Sequence, residues 1–404
     1  MPYRPCPEPA AAATTREGPL TGLRVVEMTG LGPAPYAAMI LADLGAQVIR
    51  IDRPGGYPAP DPALDPAAAG RAAVTYRSRP HVRVDLKTDA GRGLVLRLVT
   101  EADALIEGFR PGTMERLGLG PEPCLAANPA LAYVRMTGWG QNGPMAGMAG
   151  HDMNFTGLSG ALSLFGQDGR VPKGMPPLMG DMGGGALFAV VGCLAAVMNA
   201  WRCGEGQVVD ASILDGSASL YAMVSGMAAL GLHDAPPGGN MLDGGRHCYR
   251  TYVCADGGAV VVAAIEPAFR KVLLDRLGLA DDPQFLSGRA EDEADCTARL
   301  EAIFASRPRD HWAALFDGSD GCVTPVLDLA EAPGSAQARA RGLFETVDGV
   351  VQPAPAPRFG RTPGRIALGP ESASRPAPRA LCDWGLTEAE IDALIGAGVL
   401  SDAD

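Results

Sequence analysis

A chain of 404 residues with a formal net charge of −12 and 47% hydrophobic residues is too long for one ordinary core. Two domains, or one large α/β unit with an inserted domain, are expected. The acidic balance disfavours nucleic acid as a partner, although local arginines can still build a basic pocket for an anionic ligand.

The first 18 residues are rich in Pro and Ala, hold no apolar signal-peptide core and read as a disordered leader. LRVVEM (23–28) reads as a buried parallel strand, followed by the turn GLGPAP (30–35), a helix over 36–44 and a second strand, QVIRI (47–51). This strand–helix–strand unit starts a doubly wound α/β fold. Its turn lacks the full GxGxxG pattern, so no dinucleotide phosphate site is indicated. Residues 55–73 form a Pro/Ala/Gly-rich loop. Further short strands are expected at 82–86, 104–107, 132–137 and 208–211, with a long helix over 183–202 entered through the glycines of DMGGG and another over 213–230. The longest apolar run, 186–198, is too short to span a bilayer, so no membrane insertion is expected.

Residues 234–246 are Gly/Pro-rich and read as a linker. Two strand-like runs around the ADGG turn (252–262) and helices over 266–277, 295–305 and 311–316 make a smaller α+β domain. Residues 352–378 return as a Pro/Arg-rich linker. The segment over 387–396 closes as a helix with Thr387 and Glu390 in capping-box spacing. The expected partition is a leader (1–18), a Rossmann-like large α/β domain (19–233), a linker (234–246), a small domain (247–345) and a return segment joining the large domain (346–404).

Nine cysteines are scattered singly, with no CxxC pair. A disulfide framework is not expected, and a reducing cytoplasm is the simplest location. The five histidines show no ligand-type spacing, so no metal is expected. Taken alone, His151 reads as a hydrogen-bonded core histidine or as an acid/base group. Asp181, just before three glycines and a helix, reads as an N-cap or as a carboxylate held at a helix N-terminus, and the two are compatible.

GPLTGLRVVEM (18–28), DLGAQVIRIDRP (43–54), VDLKTDAGR (84–92), EGFRPGTMERLGLG (107–120) and GEGQVVDASILDG (204–216) resemble the family III CoA-transferase superfamily. MTGWGQNGP (136–144), GHDMNF (150–155), GDMGGG (180–185), NMLDGG (240–245) and AAIEPAF (263–269) are similar, more narrowly, to its α-methylacyl-CoA racemase branch. The resemblance runs from about residue 18 to 364. It implies an enzyme that epimerises acyl-CoA thioesters, with no cofactor beyond the CoA of the substrate, built as an interlocked homodimer. Each active site would then use the large domain of one chain and the small domain of the other.

Such chemistry needs a base for a weakly acidic α-proton, a means of holding enolate charge, and a second acid on the opposite face. The resemblance assigns His151 and Asp181 as the acid/base pair, with Glu266 partnering the His151 imidazole. It implies CoA phosphates held by Arg53, Lys87, Arg110 and Arg116, whose charges suit them. Val84, Asp85, Leu86, Gly108 and Phe109 belong to the same motifs. Gly150, Asp152, Met153, Asn154 and Phe155 surround the thioester, with the Asp152 backbone N–H facing its oxygen. The alternative is a family III CoA transferase, in which Asp181 is the nucleophile that forms an anhydride and then an aspartyl-CoA thioester. His151 and Glu266 separate the two, because transfer has no task for them.

Two departures stand out. Pro177 occupies the place of an Asn four residues before the aspartate and cannot donate a hydrogen bond to it. The stretch RHCYRTYVC (246–254) brings in His247 and Arg250, and Arg250 reads equally as a partner for a substrate carboxylate or as a surface charge.

Overall fold

Short β-branched runs set between glycine turns assemble into one six-stranded parallel sheet. In the computed structural model, which describes residues 17–55 and 66–401, the strands are β1 (Arg24–Met28), β2 (Gln47–Asp52), β3 (His81–Arg83), β4 (Ala104–Glu107), β5 (Ala132–Thr137) and β6 (Gln207–Ser212). Their order is β3-β2-β1-β4-β5-β6, and every pairing is parallel. The expected 1–18 leader, apart from its last two residues, and most of the 55–73 loop lie outside the described residues.

Alternation along the strands sends successive side chains to opposite faces. Val25, Val48, Ala104 and Ala132 pack with the helices Pro33–Asp43 and Phe188–Cys203. Val26, Ile49, Leu105 and Tyr133 pack on the other face with the helix Asp89–Thr100 and with Trp384, Ile391 and Leu400 from the end of the chain. The stretch Leu178–Cys203 is long and apolar enough to cross a membrane by length and composition. One of its faces (Ala189, Cys193, Ala196 and Val197) belongs to the sheet core.

The chain divides into two compact units. One comprises the residues up to Ser159, Pro176–Leu220 and Arg339 onward, and contains the parallel sheet. The other comprises Gly160–Met175 and Tyr221–Ala338. In this second unit β7 (Tyr249–Val253), β8 (Ala259–Ala263) and β9 (Val323–Pro325) form an antiparallel sheet. The helices Pro267–Leu277, Glu293–Phe304 and Arg309–Phe316 cover it around Tyr252, Val260, Leu273, Leu300, Phe304 and Trp312.

The boundaries differ from the sequence expectation in three places, one being that the chain returns to the first unit at Arg339 rather than at 346. Gly160–Met175 joins the second unit because its backbone is tied there: the Gly169 N–H donates to the Pro237 carbonyl (2.9 Å) and Gln167 Nε2 to the Asp243 carbonyl (3.2 Å). The expected helix over 213–230 is two helices, Ile213–Leu220 and Ala222–Ala229, and the division falls at the break between them. Strand β3 is also shorter than expected. Val84 leaves it to pair with Leu400.

Buried ions lock the first unit. Glu27 on β1 and Arg79 are fully buried and paired, and Arg79 also donates to the carbonyls of Pro35, Thr75 and Arg77 (2.9, 2.9 and 3.0 Å). Arg77 Nη2 meets Asp43 at 2.7 Å, and its Nη1 donates to Gln352 and to the Pro353 carbonyl, both at 2.8 Å. Removing one member of such a pair leaves an uncompensated charge. We therefore expect Glu27→Ala to destabilise the first unit by about 3–5 kcal/mol, read as a lowered urea midpoint, while a double Glu27→Met, Arg79→Leu variant loses much less.

Candidate active site

In an open parallel sheet, ligands bind where neighbouring strands send their following segments to opposite faces. Here that point lies between β1 and β4. The segments after these strands, together with the end of β5, enclose a cavity of about 490 Å³. Gly32 and Pro33 contribute from after β1, Gly108, Phe109 and Arg110 from after β4, and Trp139 from after β5. Gly150, His151, Phe155 and Asp181 complete the wall.

His151 stands immediately before the helix Asp152–Ser159 and is exposed. Asn154 fixes its backbone: Asn154 Oδ1 accepts the His151 N–H (3.0 Å), and the His151 carbonyl accepts the Asn154 N–H (2.7 Å). Phe155 is buried through the glycines around it. A Cβ on Gly138 would lie 2.0 Å from the Phe155 ring, and one on Gly150 2.6 Å from it. The glycines of the MTGWG and GHDMNF motifs thus seat the ring that sets the floor beside His151. Met153 is exposed, and the Asp152 side chain is buried.

Asp181 is not a helix cap. Leu178–Leu187 is a π-helical segment that runs straight into Phe188–Cys203, and Asp181 lies inside it, with Pro177 at its N-cap. Three of its glycines are consecutive, and the segment packs tightly on the helix Ile213–Leu220. A Cβ on Gly184 would lie 2.6 Å from the Ser217 nitrogen, and one on Gly216 only 1.8 Å from the Gly184 carbonyl oxygen. Gly32, at φ 69°, faces the carboxylate itself, since a Cβ there would come within 3.2 Å of Asp181 Oδ2. Among the described residues no side chain donates to that carboxylate, and Pro177 has no N–H to offer. Burial, then the nearby Asp152 charge, push the Asp181 carboxyl up to about 6, with His151 acting the other way.

The cationic candidates follow the carboxyl ends of three strands. Arg53 comes directly after β2, Lys87 four residues after β3, and Arg110 and Arg116 after β4. All four are exposed, and Arg110 lines the cavity. Glu107 braces the β4 loop by accepting the Phe109 N–H (2.8 Å), and Arg135 links Glu107 (3.0 Å) to Glu115 (2.8 Å). Arg116 Nη2 donates to Thr113 (2.9 Å). After β3, Asp85 accepts the Lys87 N–H (3.0 Å) and Arg92 donates to the Lys87 carbonyl (2.9 Å), while Leu86 packs against the core. Val84 is itself a fully buried core side chain, so only its backbone faces the loop.

Glu266 belongs to the second unit. It precedes the helix Pro267–Leu277 without capping it and is exposed. Arg250 pairs with Glu301 (3.4 Å) and lies over the Tyr252 ring, and His247 is buried against Glu293 (2.7 Å). Both are therefore engaged within their own unit. The sequence reading missed Gly32, Trp139, Met136 and Ile213 as cavity residues. The Gly/Pro-rich GLGPAP turn after β1 was the available signal for Gly32, and membership of MTGWGQNGP and GEGQVVDASILDG was the signal for Met136, Trp139 and Ile213.

A parallel sheet of this order, with a histidine and an aspartate opening on a cavity at its switch point, is an open α/β fold with a ligand-sized site. Residues 20–380 match CoA-transferase family III. The chain is 40% identical over 345 residues (85% of this chain and 87% of the relative) to alpha-methylacyl-CoA racemase of Homo sapiens. It is 30% identical over 390 residues (90% and 93%) to succinate--glutarate CoA-transferase of Agrobacterium fabrum. A CAIB/BAIF family protein from Brucella suis superposes with a TM-score of 0.74 at 28% identity, covering 89% of this chain and 98% of that one. The chain belongs to CoA-transferase family III and is an enzyme of that family.

The raised carboxyl has a consequence for stability. The folded state holds the Asp181 proton more tightly than the unfolded chain, whose reference value is 3.8. Stability contributed by that proton is therefore present at low pH and lost as pH rises from about 4 to about 6. We expect Asp181→Asn to raise the denaturation midpoint relative to the parent at pH 8 and to leave it unchanged near pH 4.

Proposed function

We propose that the chain epimerises 2-methyl-branched acyl-CoA thioesters by moving the α-proton from one face to the other, with His151 and Asp181 as the acid/base pair. One observation carries the reading: a histidine and an aspartate whose carboxyl is pushed up to about 6 open on the same cavity. General acid/base catalysis works best with groups that titrate near the working pH. In one direction His151 takes the α-proton, the planar enolate forms, and protonated Asp181 returns a proton to the opposite face. In the other direction the roles exchange.

The enolate oxygen needs a donor that is already in place. The first N–H groups of a helix have no intrahelical acceptor and lie at its positive end. The Asp152 N–H, opening the helix Asp152–Ser159, suits that oxygen, as a preorganised dipole does at developing negative charge. Arg53, Lys87, Arg110 and Arg116 would take the CoA phosphates.

Transfer of CoA between carboxylates, the activity named for the Agrobacterium relative, is the competing chemistry, and Asp181 suits both. Solvent isotope separates them. An epimerase washes deuterium into the α-position of a 2-methylacyl-CoA without an acceptor acid. His151→Ala and Asp181→Ala should each lower inversion by about 10²–10⁴-fold, the usual worth of a positioned acid or base. Formation of a new CoA ester only when a carboxylate acceptor is added, with no wash-in, would establish transfer instead.

We also propose a homodimer in which Glu266 of one chain supports His151 of the other. Leu187, Val191 and Met198 are exposed apolar residues on one side of the helical stretch Leu178–Cys203, and a patch of this kind marks an interface. If the site is shared, mixing inactive His151→Ala and Glu266→Ala chains by joint refolding should restore activity, because one of the two sites in each mixed dimer is intact. A site built within one chain would show no recovery.

A further inference from the structure

The side chain of Asp152 has no task in the chemistry proposed above, yet it is one of the few carboxylates buried in the first unit, with 5% exposure. Its Oδ2 accepts the backbone N–H of Asp181 at 2.7 Å, across 29 residues of sequence. Its Oδ1 is buried and has no hydrogen-bond partner among the described residues. Space for the carboxylate is reserved from the other side, since a Cβ on Gly180 would lie 2.3 Å from Oδ2. Its own backbone is held in turn, the Thr156 hydroxyl donating to the Asp152 carbonyl at 2.9 Å.

We infer that the Asp152 carboxylate is a positioning residue for Asp181, clamping the π-helical turn that bears Asp181 to the start of the helix that follows His151. This rests on the acid/base reading of the site and deepens it. A single backbone hydrogen bond is modest return for burying a carboxylate, whose desolvation is costly unless it is well paired. A neutral asparagine would make the same bond. What the charge adds is its field on Asp181, 29 positions on but adjacent in space.

Among the described residues, the charges that bear on the Asp181 carboxyl are Asp152, which raises it, and His151, which lowers it. The elements packed against it also carry Tyr36, Asp43, Arg135, Arg202, Asp210 and Asp215. Asp43 is held by Arg77, Arg135 by Glu107 and Glu115, and Asp215 is exposed. Arg110 lines the same cavity. Asp152 therefore does two things with one side chain: it fixes where the Asp181 carboxyl sits, and it delays the loss of that carboxyl's proton.

Asp152→Asn and Asp152→Ala separate these effects. Asn keeps an acceptor for the Asp181 N–H and removes the charge, whereas Ala removes both. The primary readout is the ¹³C-carboxyl titration of Asp181 in the full chain, assigned by its loss in Asp181→Asn, which needs no activity. In Asp152→Asn the titration should move to lower pH than in the parent. The kcat–pH profile for α-proton exchange should follow it, with KM for the acyl-CoA unchanged. Asp152→Ala should lose about a hundredfold in kcat, the usual cost of an ångström of misplacement, with far-UV circular dichroism and CoA binding retained, and Asp152→Asn should recover most of it. An unmoved Asp181 titration in Asp152→Asn, or full kcat in Asp152→Ala, would overturn the inference. If Ala fails to fold, the Asn titration alone decides. No exchange by the parent chain, with the titration shift still present, would overturn the epimerase reading and uphold the action of the Asp152 charge on Asp181.

Discussion

The parting of the chain at β1 and β4 is the constraint on which the site depends. These strands are neighbours, bonded at Val25–Ala104, Val26–Leu105 and Glu27–Ile106, yet the segments that leave them turn to opposite faces of the sheet. The GLGPAP turn after β1 and the EGFRPG turn after β4 line the gap this leaves beyond their carboxyl ends with glycine and proline, and both contribute to the cavity wall. The helix Asp152–Ser159 and the π-helical turn then bring His151 and Asp181 to its rim.

Delivery demands close backbone approach, and glycine supplies it. The turn bearing Asp181 meets the helix Ile213–Leu220 with Gly184 against Gly216 and Ser217, at separations no Cβ could occupy. An α-helical start would narrow the turn. The wider π-helical turn is of the kind that recurs at functional sites. Behind the GLGPAP turn, the buried Glu27–Arg79 pair does comparable positioning work, since Arg79 also donates to the Pro35 carbonyl (2.9 Å). Such pairs favour one arrangement over others more than they add net stability.

The sheet was readable because parallel strands buried on both faces appear as short apolar runs. Ala104–Glu107 and Ala132–Thr137 fall where the pattern placed them, and the capping box at Thr387 and Glu390 is present. What the pattern could not carry is what two distant segments decide together. Asp181 looks like a cap because it precedes glycines. Its true place inside a π-helical turn depends on Gly216, thirty-five residues on. Val84 sits in a motif associated with CoA, yet its side chain completes the core, because alternation outranks motif membership for a residue at the end of a strand. Residues 160–175 hold no apolar period, so their attachment to the second unit through Pro237 and Asp243 left no local trace. Family resemblance supplied His151, Asp181 and Glu266. Composition and spacing alone left His151 and Asp181 as ordinary residues.

The proline at 177 gains meaning under the proposed epimerase chemistry. Inversion at an α-carbon interconverts two thioesters of nearly equal energy. A proton taken by one group and returned by another therefore passes most easily when the two groups have similar proton affinity. An imidazole ordinarily titrates near 6.5 and an aspartate near 3.9, a gap that would leave the aspartate a reluctant acid partner. An asparagine donating to the Asp181 carboxylate would widen that gap, because a hydrogen bond to the charged form lowers the carboxyl's value. Proline removes such a donor, burial disfavours the charge, and Asp152 opposes it further. Burial and the Asp152 charge bring the Asp181 carboxyl up to about 6, and Pro177 has no N–H with which to oppose them. In the epimerase chemistry proposed above, that shift suits an aspartate that must give a proton as well as take one.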